Sequence, residues 1–273
     1  MKGKLTFTLV FLLFILFAKV SSSFEKVYII GLPPYHFSSL EMHERWGPFI
    51  SELKKRTALN FEIKVYKDLE KFEKSYLRGE VDFVFFPPYH QVMAYKAQKY
   101  TPLVKEKTLT VGMLVVRKDS EIRDVKDLDG KKIAFPDPKA FGASLYIRAI
   151  LTKQFKIKFT PAYVGTHDNV CRHVLLGKAH AGGVINYTFL RQPEEIKREL
   201  RVLYETPPLA PHAFSAHPRV TKEVRERVKQ AILDMAKDER LKPILDRIEM
   251  PNPVSADYER DYKPLEKLVL RTM

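Results

Sequence analysis

The chain has 273 residues, 45% hydrophobic and 12% aromatic, with 11 glycines, which argues against a disordered chain and allows one large domain or two modest ones. A single cysteine, Cys171, excludes an internal disulfide and reads as a buried core thiol. The formal charge of +14 could suit nucleic acid; however, Lys and Arg are interleaved with Glu, as in Glu52-Leu53-Lys54-Lys55-Arg56, which fits a solvated surface or a positive field toward anionic solutes.

The N-terminus reads basic, apolar, small: Met1-Lys2-Gly3-Lys4, then Leu5 to Ala18, then Ser21-Ser22-Ser23. This is the order of a secretory signal peptide, assigned to residues 1–23. Its apolar run of about 14 residues is short of the ~20 that span a bilayer. No Cys follows it, so a lipid anchor is not expected. Removing Lys2, Lys4 and Lys19 leaves about +11. Export also argues against a nucleic-acid partner.

Phe24 to Gly31 reads as a strand, broken by Gly31-Leu32-Pro33-Pro34. Trp46, Phe49, Ile50 and Leu53 recur at helical spacing. Phe61, Ile63 and Val65 alternate as a strand, and Leu69, Phe72 and Tyr76 share a helical face ended by Gly79. Val81 to Phe86 is an apolar run suited to a strand buried on both sides.

The alternation continues with strands at 111–116, 131–135, 160–164, 179–185 and 201–204. Helices are expected at about 141–155, at 168–176, and as one charged helix up to about Leu200. Val220, Val224, Val228, Ile232 and Met235 mark a helical face in a remainder read as helical. Such alternation predicts α/β lobes with mostly parallel sheets and ligands at the strand carboxyl ends. Two lobes fit, with crossings near residues 108–116 and 203–212: lobe one from 24–110 plus 206–273, lobe two from 111–205. Two crossings make a two-strand hinge around a cleft.

Three stretches carry a family likeness. They are Val81-Asp82-Phe83-Val84-Phe85-Phe86-Pro87-Pro88 with Ala94 beyond; Arg117-Lys118-Asp119-Ser120 leading to Asp127-Leu128-Asp129-Gly130-Lys131-Lys132-Ile133-Ala134-Phe135; and Gly165-Thr166-His167-Asp168. In this order they resemble the phosphate/phosphite/phosphonate-binding proteins of ABC transporters, from about Tyr28 to about Ile248. The resemblance implies a type II, two-lobed periplasmic binding protein. It would be a monomer without enzymatic activity or cofactor, delivering a small anion to an ABC permease or reporting it to a membrane receptor.

The same resemblance points to ligand contacts, with departures. The family's hydroxyl-rich loop is here Asp137-Pro138-Lys139-Ala140-Phe141-Gly142-Ala143-Ser144, in which only Ser144 carries a hydroxyl. Helix-start amides near Ala140, Phe141, Gly142 and Ala143 could still hold an anion, or Phe141 could plug the pocket. The family's tyrosine position falls on Gln91, with Tyr89 and His90 just before it, and Tyr35 is a further candidate. Thr166 and His167 carry over, with Asp168 expected as the helix N-cap. His180 stands where the family has an acid, and His212 lies in the return segment. Convergence of His90, His167, His180 and His212 would instead make a metal or metal-chelate site. There is no G-x-S-x-G, P-loop, G-x-G-x-x-G or C-x-x-C motif, and Cys171 and His173 are spaced to point to different helix faces.

Overall fold

The computed structural model describes residues 26–34 and 38–267; the leader assignment and Tyr35 lie outside them. The first part of the chain runs β1 (Val27–Leu32), α1 (Ser39–Thr57), β2 (Asn60–Val65), α2 (Leu69–Leu77), β3 (Phe83–Phe86), α3 (Pro88–Gln98) and β4 (Thr101–Glu106). It then crosses to β5 (Gly112–Arg117), β6 (Lys132–Phe135) and a helical run. In that run, wide turns at Phe141–Leu145 and Ile150–Gln154 flank the α-turn α4 (Tyr146–Ala149). Next come β7 (Thr160–Tyr163), α5 (His167–Leu175), β8 (Ala181–Ile185), α6 (Asn186–Leu190), α7 (Glu194–Glu199) and β9 (Leu200–Glu205). The return adds β10 (Ala213–Ala216), α8 (Lys222–Met235), α9 (Lys242–Arg247) and β11 (Pro253–Ser255).

These strands form two sheets. A six-stranded sheet has the order β11-β4-β10-β3-β1-β2, and a five-stranded sheet has the order β7-β6-β8-β5-β9. Pairing is parallel within the βαβ units (β1 with β2 and β3; β6 with β7 and β8). It is antiparallel around β10 and β5. The sheets are thus mixed and not mostly parallel as expected: β4, β10 and β11 stand in segments not read as strands, and β5 runs antiparallel to both β8 and β9. The expected charged helix before Leu200 is two short helices, parted at Gln192-Pro193. Proline at this position has no amide to continue a helix.

Local signals explain why the elements begin and end where they do. Ser38 and Glu41 form a reciprocal capping box on α1, and Ala58 closes the helix in the left-handed conformation. The inward face of α1, with Trp46, Phe49 and Leu53, packs with Phe83 and Phe85 of β3 and with α8. The opposite face of the same sheet buries Val84 and Phe86 against Phe72 and Tyr76 of α2. Asp82 of the first motif is structural: its carboxylate accepts from the Ile29 amide at 2.9 Å and from Arg219 Nε at 2.8 Å.

The two crossings lie side by side. Thr110 and Leu209 exchange backbone hydrogen bonds of 2.9 and 2.8 Å. The Gly112 amide donates to Thr206 Oγ1 at 2.9 Å. The helical run from Phe141 sits tightly on the second sheet. A Cβ on Gly183 would lie 2.3 Å from the Ala143 carbonyl oxygen, and one on Gly112 would lie 2.5 Å from that of Gly142. Only glycine allows this approach.

Candidate functional site at the junction of the lobes

Three adjacent parallel strands, β7, β6 and β8, end at one edge of the second sheet, and each leads into a helix start. The starts are Phe141 after β6, His167 after β7 and Asn186 after β8. The Ser144 and Leu145 amides both close back on the Ala140 carbonyl. By helix geometry the amides of Phe141, Gly142 and Ala143 then have no acceptor inside their own helix. The first sheet brings the start of α3, with Tyr89 and His90, to the same junction. The ring centroids of Tyr89 and Phe141 are 6.1 Å apart.

Phe141 is only 6% exposed. Its ring lies between Tyr89 of the first lobe and Tyr146 of its own helical run, in one cluster with Val92, Leu209, Ala213 and Ile150, so this cluster joins both lobes. Ion pairs flank the junction. Lys139 Nζ lies 3.6 Å from Glu73 Oε2 on the α2 face, and Arg191 Nη2 lies 2.8 Å from Asp246 Oδ1 on the α9 face. Each pair links one lobe to the other.

The candidate histidines differ in their surroundings. His90 is buried, with Nδ1 2.9 Å from the Tyr76 hydroxyl and 3.8 Å from Glu73 Oε1. Desolvation, with Lys139 and His212 nearby, lowers its pKa to about 3. His212 stacks on Phe85, centroids 5.2 Å apart at 19°, and burial lowers its pKa to about 4. Both rings are therefore neutral near pH 7 and would meet a ligand as hydrogen-bonding groups, not as cations. His167 is the first residue of α5 and half-buried.

The structure does not bring together the whole candidate set. Gln91 is fully buried and committed inward: its amide donates to the Tyr100 carbonyl, and its carbonyl accepts from Ser215 Oγ. Ser144 is also fully buried and accepts from Arg148 Nε at 3.2 Å. His180 precedes β8, at the opposite end of that strand from the junction, where its Nδ1 accepts from the Lys132 amide. The four histidines thus do not converge, and no group of three or more His, Cys, Asp or Glu among the described residues could hold a metal ion. Thr166, not Asp168, is the N-cap of α5, accepting from the Asn169 amide. Asp168 instead accepts from Gln192 at 2.6 Å. Cys171 is buried and its thiol is pushed up to about 12, chiefly by desolvation, so it is inert. His173 Nδ1 is held by the Asn169 carbonyl.

Two residues missed in the sequence belong to this junction. Tyr187 follows β8, and burial holds its phenol neutral, reinforced by the Glu249 carboxylate. Burial raises the pKa of Glu249 itself, opposed by Arg191 and Arg45. The strand-end rule would have found Tyr187; Glu249 sits in a left-handed turn after α9 that no sequence signal marks.

A family model described as "ABC transporter, phosphonate, periplasmic substrate-binding protein" matches residues 30–262. The phosphate-import protein PhnD of Mycolicibacterium smegmatis is 24% identical over 227 residues, covering 75% of this chain and 70% of that protein. The structure of PhnD1 from Prochlorococcus marinus in complex with methylphosphonate matches with a TM-score of 0.75 at 18% identity, covering 91% of this chain and 100% of that one. A binding protein component of an ABC phosphonate transporter from Pseudomonas aeruginosa matches with a TM-score of 0.72 at 14% identity, covering 91% and 87%. The shared architecture is the two-lobed α/β fold of periplasmic binding proteins.

Proposed function

The chain belongs to the periplasmic substrate-binding proteins of phosphonate ABC transporters, and from that premise we propose that it captures a small phosphate- or phosphonate-like oxyanion between its lobes for a membrane permease. The observation that carries this reading is the set of helix starts at Phe141, His167 and Asn186, delivered side by side at the lobe junction. Helix-start amides donate to anions without needing a cationic side chain. Phe141–Ala143 supply amides where related proteins carry hydroxyls, His167 and Tyr187 add polar side chains, and Tyr89 and His212 face them from the other lobe. Closure on the ligand is the form a permease reads, acting on a monomeric binding protein.

A thermal-shift screen of the mature protein tests this, using phosphate, phosphite, methylphosphonate, sulfate, small carboxylates and divalent metals. A ligand at a hundredfold over its Kd adds about 2.7 kcal/mol. His167→Ala is expected to weaken the best oxyanion by about 1.5–3 kcal/mol, the range for a hydrogen bond to a charged group. Stabilisation by metals alone, or by none of these solutes, overturns the proposal; an unchanged affinity in the variant removes His167 from it.

A further inference from the structure

An open groove of about 430 Å³ runs along the second lobe between the 141–154 helical run and the segment leading into β7. Leu145, Ile157 and Phe159 give it an apolar lining, while Arg148, Lys153 and Lys158 supply positive charge. The stretch between Asp137 and Asp168 contains five Lys or Arg residues and no Asp or Glu. Other acid-free stretches, 83–105 and 169–193, carry three basic residues each, so the positive segregation is strongest here. Arg148 donates to Ser144 Oγ and the Pro138 carbonyl and lies over the Tyr163 ring, all uncharged partners. The nearby Asp129 carboxylate accepts from the Lys158 backbone amide.

The groove borders β7, the outer strand of its sheet. The Thr160 and Val164 amides bond inward to Lys131 and Phe135, and Pro161 has no amide to offer outward. An edge with so few free donors serves strand addition poorly. A small solute with an apolar body and one anionic end matches the lining better than an extended peptide does.

We propose that this groove is a second binding site, distinct from the lobe junction, for an amphipathic anion: an organic phosphate, sulfate or carboxylate bearing a short hydrocarbon or aromatic group. The apolar part lies on Leu145, Ile157 and Phe159, and the anionic end meets the lysines and Arg148. Neither inorganic phosphate nor an uncharged alcohol satisfies both halves.

Isothermal titration of the mature protein with hexyl phosphate, with hexanol and inorganic phosphate as controls, tests the assignment. Lys153→Gln/Lys158→Gln alters two exposed side chains, and Phe159→Ser alters the apolar lining; His167→Ala serves as a junction control. The expected result is hexyl phosphate binding that weakens about five- to tenfold in the double variant and in Phe159→Ser, and is unchanged in His167→Ala. Circular dichroism confirms that each variant is folded. No hexyl phosphate binding, affinity unmoved by the double lysine variant, or binding lost in His167→Ala overturns the groove site. The junction proposal stands or falls separately, on the inorganic and methylphosphonate screen.

Discussion

Replacing Phe141 with alanine probes the contact that joins the lobes. Its ring is 6% exposed and shares a cluster with Val92, Leu209, Ala213, Tyr146 and Ile150. Truncating a buried Phe costs about 3–5 kcal/mol once the cavity is included. Tyr146 stacks on Phe141 within the same lobe, at 6.2 Å and 13°, and that contact survives lobe opening. The contact to Tyr89 does not, nor does the shared cluster with Val92 and Leu209. If about half the loss is cross-lobe, opening becomes easier by about 1.5–2.5 kcal/mol, or more than tenfold in the closed-to-open ratio. For a chain of this size the total loss corresponds to a Tm drop of about 6–15 °C. Differential calorimetry reads the Tm drop, and the radius of gyration from small-angle scattering reads the opening. A variant with unchanged Tm and unchanged scattering would refute the reasoning, because the ring could not then be wedged between the lobes.

Asp82→Ala removes the acceptor shared by Ile29 and Arg219 and is expected to cost about 2 kcal/mol, discounted because Arg219 is 38% exposed; urea unfolding checks it. Gly183→Ala forces a methyl against the Ala143 carbonyl and the Phe135 ring, at 2.3 and 2.6 Å. It should cost about 1–3 kcal/mol and lower oxyanion affinity by displacing the helix start, measurable by melting and titration. His90 and His212 have pKa values below the unfolded 6.5, so the unfolded chain binds more protons as pH falls. Their contribution is complete above pH 6.5 and is lost progressively toward about 4 for His212 and about 3 for His90. The loss is about 1.4 kcal/mol per pH unit for each histidine that remains neutral when folded. Glu249 acts in the opposite sense, so the test is the difference in urea midpoint between wild type and His90→Gln at pH 7 and pH 5. Equal slopes in both proteins would reject a neutral buried His90.

The βαβ portions of the fold were legible because long apolar runs and helical spacing act locally. Leu53 and Phe49 had to lie on one side of α1 whatever surrounds it. The strands that escaped notice are those whose stability is supplied by neighbours. β4 contains Pro102 and ends in Lys105-Glu106, both buried, and β10 is the short Ala-Phe-Ser-Ala segment wedged between β3 and β4. Neither reads as a strand in isolation. The site was legible at the level of loops and less so at the level of atoms. Gln91 and Tyr89 are two residues apart on a helix, and only packing decides that Gln91 turns to Tyr100 and Ser215 while Tyr89 turns toward Phe141. Asp168 was the expected cap; Thr166, two residues earlier, takes that place, and the bond from Gln192 draws Asp168 away.

The place of β10 also sets an order of assembly. It is an interior strand of the first sheet, between β4 and β3, yet it follows the entire second lobe in the chain. As the polypeptide emerges, residues 112–205 can complete their sheet while the earlier half still has a gap at its centre. Maturation should therefore begin in the middle of the chain, with the N-terminal strands kept waiting, their apolar edges open to chaperones, until residues 213–216 are threaded between them.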